Sequence, residues 1–120
     1  MGKSKKLAAF NYGKFAEQIA CFYLCIKGYK ILERRLRTPM GEIDIIAKKG
    51  DTIIAIEVKA RKDNHEQEVV SSNQMKRIAN AILLFIAKQQ KFSSFNLRID
   101  LIIIRPWRFP VHLKDVWQQA

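Results

Sequence analysis

The chain has 120 residues, 48% of them hydrophobic, and a formal net charge of +11 at pH 7. A chain of this length buries roughly two-thirds of its unfolded surface in one core and is too short for two ordinary domains. Its 22 lysines and arginines are mixed with strongly apolar segments, which excludes a disordered basic tail. The charge favours a polyanionic partner, although the charge alone is equally compatible with a protein that it merely keeps soluble.

The apolar segments are short. The longest uninterrupted run, Ala81 to Ala87, falls well below the about 18 residues that a membrane-spanning helix needs. Leu7 to Phe10, after the first lysines, is too short for the apolar region of a signal peptide. We therefore expect a cytoplasmic protein.

The two cysteines, Cys21 and Cys25, lie about one turn apart in a predicted helix. This spacing predicts buried, reduced thiols that pack as small apolar side chains. A zinc site would need two further ligands, and His65 and His112 have no finger-like spacing to the cysteines.

A helical period runs from about Tyr12 to Lys27 and ends at Gly28. Its apolar positions are Tyr12, Phe15, Ala16, Ile19, Ala20, Tyr23 and Leu24. On a helical wheel Glu17 falls on the flank of this stripe, near Leu24. Its carboxylate can therefore reach the edge of a cleft.

An extended pattern follows Gly28. It predicts strands at Tyr29 to Arg37, Glu42 to Lys48 and Thr52 to Ala60, with a break at Pro39 and Gly41 and a tight turn at Lys49-Gly50-Asp51. Residues Arg61 to Val70 are mostly polar and have no clear period, which predicts an exposed and mobile loop.

The second helix is predicted to begin at Ser71, Ser72 or Asn73 and to end near Gln89. Its buried face comprises Met75, Ile78, Ala79, Ile82, Phe85 and Ile86. A buried strand from Leu97 to Ile104, a proline-bounded loop from Arg105 to Pro110 and a short strand from Val111 to Lys114 follow. This order predicts a mixed sheet flanked by helices, of α/β or α+β class, because the strands are too apolar to leave both sheet faces in water. We assign residues 1–10 to a basic N-terminal segment and 11–117 to a single domain.

Acidic residues on the second and third predicted strands form a candidate site. Glu42 and Asp44 share one face of their strand, as Glu57 and Lys59 share one face of theirs. If the turn is the two-residue Gly50-Asp51, Asp44 lies opposite Glu57 and Glu42 opposite Lys59. A turn shifted by one place makes the carboxylates diagonal neighbours, and a longer or shorter loop separates the faces. The apolar set predicted for the other face is Ile43, Ile45, Ala47, Ile54, Ile56 and Val58.

Opposed carboxylates with Cβ atoms about 5 Å apart repel each other by roughly 3 kcal/mol at an effective dielectric of 20. A cation or the ammonium of Lys59 would offset this repulsion, and oxygen ligands suit Mg²⁺ or Mn²⁺. Phosphodiester hydrolysis is the natural use of such a site, with Lys59 orienting the attacking water or stabilising the growing charge. The alternative is a cross-strand ladder of ion pairs on a solvated sheet face.

The arrangement of Asp44 followed by Glu57-Val58-Lys59 resembles the PD-(D/E)xK nuclease superfamily, and the whole chain is similar to the YraN-like family of bacterial proteins. The matching stretches are GKFAEQIA at 13–20, GYKILE at 28–33, RTPMGEIDII at 37–46 and IEVKAR at 56–61. The resemblance spans about residues 11–117. It implies a single-domain α/β fold of the restriction-endonuclease-like class, similar to archaeal Holliday junction resolvases.

The resemblance also implies the roles of particular residues. Glu17, Asp44, Glu57 and Lys59 take the catalytic positions, and Asp44, Glu57 and Val58 those that hold Mg²⁺ or Mn²⁺. Glu17 matches the acidic position on the helix.

Contacts to nucleic acid are assigned to Arg61, Lys62, Gln74 and Lys76. The second helix of the family usually begins with Lys-Gln, where this chain has Asn73-Gln74, and Lys76 lies one turn on and can replace the missing lysine. The family's Arg-Phe-Asp strand reads Arg98-Ile99-Asp100 here.

Other chemistry-bearing residues are not assigned to a site. Trp107, Phe109 and Trp117 can stack on bases, but aromatic residues bounded by prolines more often pack at a core edge or an interface. Asp100, near Arg98 and Lys114, is interpreted as part of a structural ion pair.

Three functional hypotheses follow. The first is a metal-dependent endonuclease that acts on DNA, with branched DNA as a candidate substrate and a homodimer as the form suited to a two-fold symmetric junction. The second is a DNA- or RNA-binding protein of nuclease fold without turnover, and the third is a structural interaction module. Each predicts a soluble protein with no membrane partner.

Overall fold

The computed structural model describes residues 3–61 and 70–117, with side chains from residue 12 onward. The elements are α1 (Lys3–Ile26), β1 (Lys30–Thr38), β2 (Gly41–Lys49), β3 (Thr52–Ala60), α2 (Ser72–Ala87), a 3-10 turn (Gln90–Phe92), β4 (Asn96–Ile104) and β5 (Val111–Leu113). In these two ranges, no helix is long and apolar enough to cross a membrane. The predicted loop from Arg61 to Val70 falls largely on residues 62–69, outside the described residues.

Both helices end where local signals predict, but α1 begins earlier than expected. Its first residue is Lys3, not Tyr12, because the intervening lysines, leucine and alanines favour helix. Gly28, with a φ of 89°, follows its last turn. At the start of α2, the Ser71 hydroxyl accepts a 3.1 Å hydrogen bond from the backbone N–H of Gln74, which confirms the predicted N-cap.

The five strands form one mixed sheet in the order β1-β2-β3-β4-β5. The β3–β4 pair is parallel and its crossover contains α2, whereas the other three pairs are antiparallel. Lys49 pairs with Thr52 around Gly50-Asp51, and Gly50 has a φ of 60°. The predicted two-residue turn and mixed sheet are therefore confirmed.

Each face of the sheet is covered by one helix. On the first face, α1 packs Ala16, Ala20 and Leu24 on a cluster that includes Ile45, Ala47, Ile54, Ile56 and Ile102. On the second, α2 packs Met75, Ile78, Ile82 and Phe85 on a cluster that includes Ile43, Ile46, Ile53, Ala55 and Leu101. The central strands thus carry no broad solvated face of the kind that an ion-pair ladder requires.

Three predicted placements of apolar side chains are wrong. Ile43 packs on the α2 side and not with Ile45, because the alternation of β2 is interrupted at Asp44. The buried stripe of α1 is narrow, with alanines at 16 and 20 that let the helix approach the sheet closely, so Phe15 remains 56% exposed. Cys25 is also exposed, since it is rotated by about 100° from the buried Leu24.

Gly41 allows β2 to approach α2 closely, which generates a test of this packing. A Cβ added to Gly41 would lie 2.9 Å from the carbonyl oxygen of Arg77 and 3.0 Å from its Cβ. Because backbone atoms cannot easily yield, Gly41→Ala should lower the free energy of unfolding by about 1–3 kcal/mol.

The matched control is Gly13→Ala within α1, where an added Cβ meets no atom within 4 Å. This variant should be more stable by roughly 0.5–1 kcal/mol, because alanine loses less backbone entropy in a helix. Urea denaturation followed by circular dichroism measures both changes. Equal stability of Gly41→Ala and the wild type would contradict the packing described.

Candidate active site

Asp44 on β2 and Glu57 on β3 lie at the point where the ladder between these strands ends. The described pairs run from Lys49 with Thr52 to Ile45 with Ile56, and Asp44 and Glu57 are the next positions in the same register. Oδ2 of Asp44 accepts a 2.8 Å hydrogen bond from the backbone N–H of Val58. A bond from the main chain of β3 to a side chain of β2 thus replaces the main-chain pairing at this point. The two carboxyl groups meet there, as expected from the two-residue turn.

Lys59 and Gln74 both contact Glu57. The ammonium nitrogen of Lys59 is 3.4 Å from Oε1 of Glu57, and the Gln74 amide donates a 3.0 Å hydrogen bond to the same oxygen. The Glu57 side chain is only 13% exposed. Strand β3 supplies the acid and the ammonium, while the first turn of α2 supplies the amide that fixes the acid.

The two carboxyl groups of the acid pair carry more negative charge than the single ammonium of Lys59 can neutralise. Burial, together with the negative charge of Asp44, raises the pKa of Glu57 to about 7, against the opposing effect of Lys59. Burial also raises the pKa of Asp44, with a further contribution from the charge of Glu17, although the Val58 N–H opposes it. Near neutral pH the pair therefore retains a proton part of the time, and a cation could replace that proton.

Glu17 lies on the wall of the cleft that contains Asp44. This cleft, of about 310 Å³, is lined by Gly13, Lys14, Glu17, Arg35, Asp44 and Val58 among others. Oε1 of Glu17 lies 3.2 Å from Nε of Arg35 and 3.9 Å from Nη2 of Arg34. Among the residues described, no three acidic, histidine or cysteine side chains form a group suited to hold a metal ion. Glu17 shares the cleft with Asp44 and is paired with arginines of β1.

Arg35 is a residue of this cleft that the sequence pattern does not reveal. Its φ of 54° places it in the left-handed region, where non-glycine residues are uncommon. Along β1 it falls between Arg34 and Leu36, which pair with Ile45 and Ile43, so it lies beside Asp44 across the strands. The left-handed backbone of β1 at Arg35 thus lies beside the interrupted alternation of β2 at Asp44. No local signal in the sequence marks the conformation of Arg35.

The residues assigned to nucleic acid occupy different settings. Arg61 is half-buried at the end of β3, where its N–H donates to the carbonyl oxygen of Ile104 at 2.9 Å. Lys76 is exposed on α2, whereas Gln74 is engaged with Glu57. Lys62 lies outside the described residues. Gln74 is thus placed to support the acid pair, and its contact with nucleic acid stays a prediction.

The predicted pairing of Glu42 with Lys59 is not observed in the described ladder, which ends at Ile45 and Ile56. Glu42 is 69% exposed, and its Oε1 lies 3.9 Å from Nε of Arg37. Because the strands diverge beyond Asp44, Lys59 is left to contact Glu57 on its own strand.

Asp100 forms a separate, fully buried network. Arg98 donates two hydrogen bonds to it at 2.8 and 2.9 Å, the backbone N–H of Asp115 donates a third, and Nε2 of His112 lies 2.7 Å away. Burial acts to raise the pKa of Asp100, but the hydrogen bonds from His112 and Arg98 hold this pKa below its ordinary value. The structural pair with Arg98 is confirmed, but the other partner is His112 and not Lys114, because β5 pairs His112 beside Asp100's strand.

The raised pKa of Glu57 predicts how stability depends on pH. A carboxyl whose pKa is about 7 in the folded state and 4.5 in the unfolded chain binds its proton more tightly when folded. Its stabilising contribution is complete below the unfolded pKa and is lost as pH rises through about 7. Between pH 4.5 and 7, the wild type should lose up to about 3 kcal/mol that Glu57→Gln does not lose.

Urea denaturation at several pH values compares the wild type with Glu57→Gln, and the exposed Glu42→Gln serves as the control. The control should follow the wild type across the range. Parallel pH profiles for all three proteins would show that Glu57 is not held protonated by the fold.

Comparison with known proteins gives the context of this site. The model of the uncharacterised protein family UPF0102 matches residues 16–104. UPF0102 proteins of Sinorhizobium medicae and Chelativorans sp. are 42% and 40% identical, covering 93% and 98% of this chain and the same shares of the relatives. A UPF0102 protein of Bartonella tribocorum is 40% identical over 92% of this chain and 86% of the relative.

A solved structure is similar in fold. Hjc of Archaeoglobus fulgidus, described as a Holliday junction resolvase from an archaeal hyperthermophile, superposes with a TM-score of 0.51 at 20% identity. The match covers 82% of this chain and 72% of that protein. The restriction-endonuclease-like fold expected from the sequence is therefore confirmed, and on the evidence of its relatives this chain belongs to the UPF0102, or YraN-like, family.

Proposed function

We propose that this protein is a metal-dependent endonuclease that hydrolyses phosphodiester bonds in DNA. The observation that carries this proposal is the pair of buried carboxyl groups, Asp44 and Glu57, with raised pKa values and one ammonium, that of Lys59, against them. A fold has no structural need for two repelling acids at the end of a ladder, because an apolar pair there would be at least as stable. Such a pair is typical of a site that binds a cation.

The residues of the pair fit Mg²⁺ or Mn²⁺. Both ions prefer oxygen ligands, and Mg²⁺ is commonly held by one or two carboxylates while substrate phosphate and water complete its coordination. We assign Asp44, Glu57 and the backbone of Val58 to hold the ion. With these three ligands, the site does not need a third acidic side chain to bind it. When bound, such an ion supplies polarisation of the scissile phosphate and charge to oppose the developing anion.

The side chains around the pair have separable roles in this proposal. Lys59 orients the attacking water or stabilises the growing negative charge, since its ammonium is held 3.4 Å from Glu57 at the site itself. Gln74 fixes the Glu57 carboxylate by its 3.0 Å hydrogen bond, which limits the rotamers that the acid can adopt. Glu17, held by Arg35, adds negative charge to the cleft that contains Asp44.

The substrate is assigned from charge and from the likeness in fold. A net charge of +11 supports a polyanionic substrate, and Arg61, Lys62 and Lys76 are proposed to contact its phosphates. The Archaeoglobus protein of similar fold is described as a Holliday junction resolvase, so branched DNA is the first substrate to test. A four-way junction is two-fold symmetric, so we propose a homodimer with one site for each cut strand.

Substitutions of Asp44, in the acid pair, and of Lys59, beside it, test this proposal. Asp44→Ala and Lys59→Ala should each lower metal-dependent cleavage at least about 100-fold, because each removes charge or a ligand at the reacting phosphate. DNA affinity should change little, since phosphate contacts elsewhere supply it. The measurement is a cleavage panel of linear, flapped and four-way DNA with Mg²⁺, Mn²⁺ or a chelator, beside binding by fluorescence anisotropy.

Glu33→Ala is the matched control, because Glu33 is an exposed acid of β1 that does not line the cleft, and this variant should cut like the wild type. A wild type that binds DNA and cuts none of these substrates with either metal would leave a nucleic-acid-binding protein without turnover. Cleavage that survives Asp44→Ala would show that the reaction occurs elsewhere.

A further inference from the structure

A second concave surface lies on the opposite flank of α1 from the candidate active site. This groove, of about 600 Å³, is lined by Tyr12, Phe15 and Ile19 of α1 and by the segment from Ile104 to Phe109 that follows β4. We refer to this set of residues as the aromatic groove. None of them belongs to the acid pair or to the groups that contact it.

The aromatic groove exposes large side chains that a folded chain normally covers. Trp107 and Phe109 are 102% and 92% exposed, and Phe15 is 56% exposed. Trp107 also has a φ of 60°, which bulky residues rarely adopt. Of the two predicted settings for Trp107 and Phe109, packing against a core edge is therefore wrong, and packing at an interface stays a prediction. A cluster of exposed aromatic side chains beside a groove marks a binding surface.

The chemistry of the segment selects among possible occupants. Arginines alternate with the aromatic residues in the order Arg105, Trp107, Arg108 and Phe109. Within the described part of the chain, the buried Nε of Arg105 has no hydrogen-bond partner. Aromatic faces interleaved with guanidinium groups bind unpaired nucleic acid, whose bases stack on the rings while its phosphates pair with the arginines.

Charge complementarity disfavours a second copy of the same chain as the occupant. A second copy docked through the same groove would place its own Arg105 and Arg108 against those of the first copy. Like charges at an interface oppose association, whereas a polyanion is attracted. Among the occupants that fit an apolar and basic groove, a nucleic-acid strand is thus favoured.

The aromatic groove and the cleft of the candidate active site adjoin at the ends of β3 and β4. Ala60 lines the cleft and Ile104 lines the groove, and these two residues are partners in the parallel ladder. Neighbouring strands are only about 4.8 Å apart. The hydroxyl of Tyr12 donates to the carbonyl oxygens of Arg61, at 3.2 Å, and Ile104, at 3.5 Å, so α1 is fixed over this junction.

We propose that the aromatic groove binds an unpaired segment of the substrate strand next to the scissile phosphate. Bases stack on Trp107 and Phe109, and Arg105 and Arg108 pair with the phosphates of the same segment. The proposal rests on the nuclease function proposed above and narrows its substrate class to nucleic acid with unpaired bases, such as flaps and branch points. The interior of a perfect duplex offers no free base face to the groove, because every base there is stacked between its neighbours.

Binding by the full chain tests this inference. The probes are a fluorescein-labelled oligothymidylate and a blunt duplex of the same length, measured by anisotropy at low salt. Trp107→Ala should weaken oligothymidylate binding roughly 10-fold, the effect of losing one stacked base, and leave duplex binding within about twofold. The matched control is Phe22→Ala, which removes an aromatic side chain of α1 that is 70% exposed and lies outside the groove.

A spectroscopic measurement locates the contact independently. The chain has two tryptophans, so Trp117→Phe leaves Trp107 as the single fluorophore. Oligothymidylate should quench this fluorescence, because a stacked base quenches an indole. The concentration dependence of quenching should match that of anisotropy.

The outcomes are distinct. Equal oligothymidylate affinities for Trp107→Ala and Phe22→Ala, or no quenching of Trp107 on binding, would overturn the inference while leaving the proposed nuclease intact. A change in sedimentation caused by Trp107→Ala without a change in affinity would assign the groove to contacts between copies, which also overturns it. A wild type that binds neither probe removes the proposed function itself.

Discussion

The candidate active site depends on the enforced proximity of two acids where two antiparallel strands stop pairing. Asp44 and Glu57 occupy the first register positions beyond the last pair of the β2–β3 ladder. Both are buried enough for their pKa values to rise, and Asp44 uses one oxygen to bind the main chain of β3. Proximity, burial and unbalanced charge arise together here, and they are the conditions under which a cation is bound strongly.

The other elements serve this junction from both sides of the sheet. The two-residue turn at Gly50-Asp51 sets the register that brings the acids together. The helix α2, held close to β2 at Gly41, presents Gln74 to Glu57. On the opposite side, α1 carries Glu17 to the cleft wall and separates the cleft from the aromatic groove. Because β3 and β4 are parallel, their last residues, Ala60 and Ile104, lie side by side, and the two concave surfaces adjoin there.

The sequence predicts the parts of this architecture that depend on local pattern. Alternation and a Gly-Asp turn give the strands and the register of Asp44 and Glu57, and helical period with a serine cap gives α2. The sequence does not predict the placement of side chains that is decided by tertiary packing and not by local pattern. The close approach of α1 exposes Phe15 and Cys25, the irregular β1 presents Arg35 to Glu17, and His112 reaches Asp100 through a strand of three residues. Each of these depends on how elements distant in sequence meet.

The central claim is that the acid pair holds a divalent cation, and calorimetric titration of Mn²⁺ into the protein without DNA tests it most directly. The wild type and Glu33→Gln, which changes an exposed acid of β1 outside the cleft, should bind Mn²⁺ alike. Glu57→Gln should bind it at least about 10-fold more weakly, because ligand carboxylates dominate the affinity of such sites. Equal affinities in the wild type and Glu57→Gln, or no binding by the wild type, would contradict the claim.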